Sequence, residues 1–169
     1  MYSVGSKVLH PCHGAGTVTR IQSKCIGVNT HQYYVIRTVT VPGPMQLMVP
    51  VNSAESLGLR EIGNASALRC TLRSCSIAPP KDTIETDYRA RQATVREKLK
   101  SGSFGIITSV IRMYHLLDHM RRLGMTDRQM FDAGKKLLAG ELALAVGVEF
   151  SEALQEIDAQ LDLMVVPDA

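Results

Sequence analysis

The chain has 169 residues, 45% hydrophobic and 21% charged, with a net charge of +3, and its mean hydropathy is close to zero. That balance excludes a disordered tail and a membrane-embedded protein, and the length suits one ordinary domain or two small ones. With three Phe, five Tyr and no Trp, the core has to be built mainly from aliphatic side chains.

The first residues, Met1-Tyr2-Ser3-Val4-Gly5, hold no basic stretch leading into an apolar run, and no later segment is apolar for the length of a bilayer. Four cysteines, Cys12, Cys25, Cys70 and Cys75, are too few and too irregular for a disulfide framework. A cytoplasmic protein with reduced thiols is the expectation.

The first sixty residues read as strands. Lys7–His10, Gly16–Ile21, Gln32–Val41 and Gln46–Val49 are β-branched or aromatic runs, several alternating with period two. Turn chemistry separates them at Pro11 to Gly16, at Gly27 to Thr30 and at Pro42-Gly43-Pro44. Four or five short antiparallel strands predict a small, strongly twisted barrel or half-barrel with an edge to use.

From about Gly63 the period becomes helical. Tyr88, Gln92, Val95 and Leu99 fall on one stripe, Phe104, Ile107, Ile111 and Tyr114 on a second, and Met130, Leu137, Leu138 and Leu142 on a third. Ser101-Gly102 and Gly124 interrupt the pattern, Thr126 with Gln129 suggests a capping box, and Ser151 is a candidate cap for a last helix carrying Leu154, Ile157 and Leu161. Pro79 and Pro80 forbid a continuous helix over residues 77–82, which form either a loop within the helical half or a linker.

Charge is distributed unevenly. Residues 88–136 hold eleven Lys/Arg against four Asp/Glu, whereas from Glu149 onward there are six acidic residues and no Lys or Arg. The basic middle points to an anionic partner or to a solvated helical surface.

Few residues suggest catalysis. His10, Cys12 and His13 are the only crowded soft ligands, but Pro11 forces an extended backbone and no second Cys/His pair stands at zinc-site spacing, so no metal is expected. Cys70 and Cys75 lack the Cys-x-x-Cys spacing, and a strand rather than a helix follows Gly14-Ala15-Gly16, which makes that segment a β-turn and not a phosphate loop. Glu85 with Asp87 and Glu152 with Glu156 read as helix-dipole compensation or exposed helix charge. Neither an enzyme nor a cofactor is expected.

Read as a string, Val4-Gly5-Ser6-Lys7-Val8-Leu9-His10-Pro11-Cys12-His13-Gly14-Ala15-Gly16-Thr17-Val18 resembles the opening of the CarD/CdnL family, shared with the polymerase-binding domain of transcription-repair coupling factors. Further similarity follows in order at Leu47-Met48-Val49-Pro50-Val51-Asn52-Ser53-Ala54, Leu57-Gly58-Leu59-Arg60, Lys98-Leu99-Lys100-Ser101-Gly102 and Ala139-Gly140-Glu141-Leu142-Ala143. The resemblance implies an α+β protein: a Tudor-like β domain over residues 1–62 that binds the β subunit of bacterial RNA polymerase, then a helical bundle over 63–169. The helical part would contact promoter DNA at the upstream edge of the melted region and modulate open-complex stability.

Carried over by position, the resemblance implies polymerase contacts at Lys24, Ile26 and Met48, the last standing where some relatives have Arg. Met48 and Ile26 could instead be core residues, although alternation allows only one of Leu47 and Met48 to point inward. Relatives commonly carry a Trp wedge near the start of a helix, and Tyr88 occupies that position here. It is either a smaller wedge beside the phosphate-repelling Asp87 or a core residue. Arg89, Arg91, Arg96, Lys98 and Lys100 are the phosphate candidates, giving sequence-non-specific binding, unless they are ordinary solvated charges. By helical spacing 89, 96 and 100 share one face, and 91 and 98 another. The alternative function is a polymerase-binding adapter whose helical part recruits another protein. A monomer is the default.

Overall fold

The computed structural model describes residues 1–39 and 43–165. Thr40, Val41 and Pro42, which the sequence gives to the end of the third strand and the start of a turn, lie outside the described residues.

Five strands, β1 (Lys7–His10), β2 (Gly14–Ile26), β3 (Asn29–Thr38), β4 (Gln46–Pro50) and β5 (Arg60–Glu61), form one antiparallel sheet in the order β4-β3-β2-β1-β5. Period-two alternation turns Val8, Val18, Tyr34, Ile36 and Val49 to one face, where Ala54 and Leu59 complete a small core. Tyr2 closes that core. Its N–H donates to the Tyr34 hydroxyl at 3.0 Å, and its own hydroxyl donates to the Leu59 carbonyl at 2.8 Å, so neither buried phenol is left without a partner.

Both tight connections use glycine where the sequence offers it. His10 pairs with Gly14 across a three-residue loop, and Ile26 pairs with Asn29 across Gly27-Val28. Gly14 and Gly27 take φ of 81° and 64°, a region that L side chains avoid. The second strand continues to Ile26, well past the end that its alternation predicts at Ile21.

Among the described residues the chain then forms five α-helices: α1 (Ala65–Leu72), α2 (Tyr88–Lys100), α3 (Phe104–Met120), α4 (Met125–Val146) and α5 (Phe150–Asp162). Ile107, Ile111 and Tyr114 of α3 meet Leu138 and Leu142 of α4 and Ile157 and Leu161 of α5 in one apolar core, as the helical periodicity requires. The architecture is α+β. Pro79 and Pro80 belong to a loop of the helical half: Ala78 and Ile84 pack against its core, and the Arg112 guanidinium of α3 donates to the Ile77 carbonyl at 2.7 and 2.9 Å.

Two helix starts differ from expectation. The N-cap of α4 is Gly124, without a side-chain cap, because Asp127 faces inward at a buried ion pair, carrying Thr126 into the first turn. For α5 the cap is Glu149, in a capping box with Glu152, and not Ser151.

Candidate docking edge and nucleic-acid interface

β1 pairs with β2 only from Gly14 to Thr17, and β4 pairs with β3 only from Tyr33 to Arg37. The β2–β3 ribbon from Arg20 to Gln32 therefore projects beyond its neighbours, with open hydrogen-bonding edges on both sides. Paired residues share a sheet face, and the register Lys24↔His31, Ile26↔Asn29 and Arg20↔Val35 with Val35↔Met48 puts Lys24, Ile26 and Met48 on the same one. None of the three is core: Ile26 and Met48 are 58% and 42% exposed, Lys24 is exposed, and in β4 it is Leu47 and Val49, not Met48, that pack inward. Val28 at the tip is fully exposed. The ribbon thus combines open backbone edges with apolar side chains and the cations Arg20 and Lys24, a surface able to accept a partner strand.

α2 begins at Asp87, whose carboxylate accepts from the Arg89 backbone N–H at 2.9 Å. Its negative charge serves as the helix cap and compensates the dipole. Tyr88 is 53% exposed and therefore not a core residue. The Arg89 guanidinium lies 5.6 Å from its ring centroid and donates to its hydroxyl at 3.1 Å, an arrangement that holds an aromatic face and a cation together at the surface.

The buried stripe of α2 starts one turn later than the hydrophobic pattern suggests, and it starts with a charge. Arg91 is 2% exposed; it donates to Asp127 of α4 at 2.8 Å and to the Glu85 carbonyl at 2.9 Å. Arg91 is therefore a structural ion pair joining α2 to α4 and offers no free face to a phosphate, which corrects its place among the phosphate candidates. Asp127 also accepts from Gln92 at 3.0 Å and from the Tyr114 hydroxyl at 3.3 Å. Burial pushes the Asp127 carboxyl up, but the bonds from Arg91, Gln92 and Tyr114 outweigh that and hold it below the usual carboxylate range. Burial, and the Asp127 charge after it, push the Tyr114 phenol well up, so it stays a neutral donor.

Ion pairing sorts the remaining cations of the basic middle. Lys100 pairs with Glu97, Arg128 with Asp118 and Lys135 with Asp158. Among the described residues Arg89, Arg96, Lys98, Arg121, Arg122 and Lys136 enter no ion pair, and neither does Arg112, which is engaged with the Ile77 carbonyl. Arg121 and Arg122, between α3 and α4, line a cleft of about 340 Å³ with Tyr88 and Met125. At the other end of α2, Arg96, Lys100 and Lys136 rim an apolar cleft of about 440 Å³. Arg89, Arg96 and Lys100 follow one line down the helix, while Lys98 points elsewhere by spacing. Positive charge thus extends along the whole of α2, about 20 Å at 1.5 Å per residue.

Sequence reasoning missed Arg121 and Arg122, which lie more than a helix away from Tyr88 along the chain. The paired arginines just before a helix-breaking Gly124 were the available signal. In the acidic end of the chain, Glu156 is bridged by Arg69 and Asp158 by Lys135. Among the described residues no group of three or more His, Cys, Asp or Glu is placed to hold a metal ion, and no helix is long and apolar enough to cross a membrane.

Two family models match the chain, the "CarD-like/TRCF RID domain" over residues 2–63 and "CarD, C-terminal domain" over residues 77–158. The chain belongs to the CarD/CdnL family. That membership makes it a transcription regulator of a class that binds RNA polymerase. A relative described as "Putative transcription factor YdeB", from Bacillus subtilis (strain 168), is 24% identical over 148 residues, covering 88% of this chain and 94% of its own length. The projecting ribbon lies in the part matched by the first model, and Tyr88 with the cation line lies in the part matched by the second.

Proposed function

We propose that this CarD/CdnL protein is a non-catalytic cytoplasmic regulator that docks on the RNA polymerase β subunit and contacts promoter DNA near the upstream edge of the bubble. Residues 1–62 supply the docking part, through Lys24, Ile26 and Met48 and the open edges of the β2–β3 ribbon. Residues 63–169 supply the DNA-facing part, through Tyr88, Arg89, Arg96 and Lys100, joined by Arg121 and Arg122. Lys98 is a peripheral contact. The protein acts as a monomer.

One observation carries the reading: Tyr88 stands exposed among Arg89, Arg121 and Arg122, with the neighbouring Asp87 charge engaged at the helix cap. A ring with a polar tip can stack at an unstacked base step while the guanidinium groups meet the flanking phosphates. These contacts carry no base-edge pattern, so binding is sequence-non-specific and falls with salt. Melting is favoured only by the difference in affinity between open and closed complexes, tenfold for about each 1.4 kcal/mol. A Tyr offers less apolar area than the Trp it replaces, so this stabilisation is smaller than in Trp-bearing relatives.

Two exposed methionines, Met120 and Met125 at 51% and 80%, favour the second reading, in which the same surface takes a protein partner. Site-specific photo-crosslinking from position 88 in a polymerase–promoter complex separates the two. Crosslinks to DNA at the upstream fork support the first, and crosslinks only to protein support the adapter. A chain that fails to bind the β subunit would refute both.

A further inference from the structure

The family-like motifs that the two surfaces leave unused meet at one place, the junction between the sheet and the helices. Arg60 of β5 stands at its centre. A guanidinium has five N–H donors in a fixed plane, and all five of Arg60 are engaged. Nε donates to the Gly102 carbonyl at 3.1 Å, and Nη2 donates to the same oxygen. Nη1 donates to the Glu61 carbonyl at 2.9 Å. The last two meet Glu141 of α4 as a bidentate pair, Nη1 to Oε1 at 2.8 Å and Nη2 to Oε2 at 2.7 Å.

Glu141 is itself buried, with 2% of its side chain exposed, and it also accepts from the Gly63 backbone N–H at 3.0 Å. Gly102 turns the chain out of α2 with φ of 65°, a conformation that keeps its carbonyl on Arg60 and one that L side chains rarely adopt. Sheet and helices approach each other here: a methyl group on Gly140 of α4 would make ordinary van der Waals contact with Ala15 of β2 at 3.6 Å, and one on Gly102 with Pro11 at 3.5 Å. Lys7 of β1 adds a bond to the Leu144 carbonyl of α4 at 2.7 Å.

These bonds connect β5, the end of α2 and the middle of α4, and they tie the sheet to the helical half, whose α2 and α4 are already joined by the Arg91–Asp127 pair. We infer that Arg60, with Glu141 and the Gly102 carbonyl, is a positioning joint that sets the orientation of α2 relative to the polymerase-docking ribbon. It acts through geometry and touches neither partner. A protein bound to polymerase at one end reaches the fork with Tyr88 only if this angle is fixed, because a freely hinged α2 loses the effective concentration that rigid tethering provides. The inference rests on the proposed function, and the test below keeps the two separable.

Removing one partner leaves a buried charge unpaired and risks unfolding, whereas replacing both with apolar residues of similar volume is often neutral. The test is therefore the paired variant Arg60→Met with Glu141→Met, together with Arg60→Lys, which has only three donors. NMR residual dipolar couplings read the orientation directly. The native chain should fit a single alignment tensor, while the paired variant should need separate tensors for sheet and helices, with each half's internal couplings unchanged. In open-complex assays the paired variant should bind isolated β subunit and non-specific duplex within twofold of the native chain, yet lose at least two-thirds of the lifetime extension. Arg60→Lys should lie between.

A folded variant that keeps a single tensor and the full lifetime extension would overturn the inference. If the native chain gives no lifetime extension, the proposed function fails. The dipolar couplings then still decide whether Arg60 and Glu141 hold the two halves in register.

Discussion

The buried pair between Arg91 and Asp127 gives the sharpest test of how α2 is held in place. In Asp127→Ala the Arg91 guanidinium, 2% exposed, loses its counter-charge and, among the described residues, keeps its bond to the Glu85 carbonyl, while Gln92 and Tyr114 lose an acceptor. Breaking a buried pair in this way costs roughly 3–5 kcal/mol. At about 2–4 °C per kcal/mol for a chain of this size, the melting temperature should fall by roughly 6–20 °C. Arg91→Met combined with Asp127→Leu removes both charges and should recover most of the loss.

The pH dependence has a definite sign. Because the Asp127 carboxyl sits below its unfolded value, its contribution is fully present above the unfolded pKa, near 3.9, and is lost as pH falls through the folded pKa. Thermal or urea unfolding of native, single and double variants at pH 7 and at pH 3 reads both effects. Asp127→Ala should be less stable at pH 7, with a difference that narrows at pH 3. A melting temperature within 2 °C of the native chain at pH 7 would refute the anchoring role of the pair.

Further outcomes follow from the two surfaces. Lys24→Glu, on an exposed strand residue, should weaken β-subunit binding roughly tenfold, about 1.4 kcal/mol, with unchanged thermal stability; titration calorimetry and a melting curve check both halves. Tyr88→Ala should leave docking and folding intact and shorten the open-complex lifetime by roughly fivefold, the effect of about 1 kcal/mol, which is the low end of the roughly 1–3 kcal/mol that stacking contributes per base. If that variant unfolds, the exposed placement of Tyr88 is wrong. Arg121→Ala with Arg122→Ala should lower the slope of log affinity for duplex against log salt by about 1.8, at about 0.9 per phosphate contact; an unchanged slope would remove both residues from the interface. Cys75, whose thiol burial pushes up to about 12, should resist alkylation at pH 8 in the folded chain, while the exposed Cys12, Cys25 and Cys70 react. Mass spectrometry after pulse labelling counts them.

Elements that bury one face were legible in the sequence. The alternation of β4 and the stripe of Ile107, Ile111 and Tyr114 reported their own packing, and the switch from period two to helical period marks where the sheet ends. The projecting ribbon was not, because Gln22 to Ile26 bury neither face and leave no hydrophobic pattern to read. Arg91 was misread for a related reason: periodicity counts apolar residues, and a buried arginine looks like a surface one until its partner is known. Asp127 is that partner, thirty-six positions away. The same separation hid Arg121 and Arg122 from Tyr88. The motifs around Pro11, Arg60, Gly102 and Glu141 stood out as strings, but only their convergence at the junction explains why those residue types are there.

The most direct test of docking combined with DNA contact is the lifetime of a promoter open complex after competitor challenge, with purified polymerase and with or without the full chain. A lifetime extended severalfold by the native protein, and much less by Lys24→Glu or Tyr88→Ala, is the predicted result. A lifetime unaffected by saturating native protein that is demonstrably bound to polymerase would contradict it.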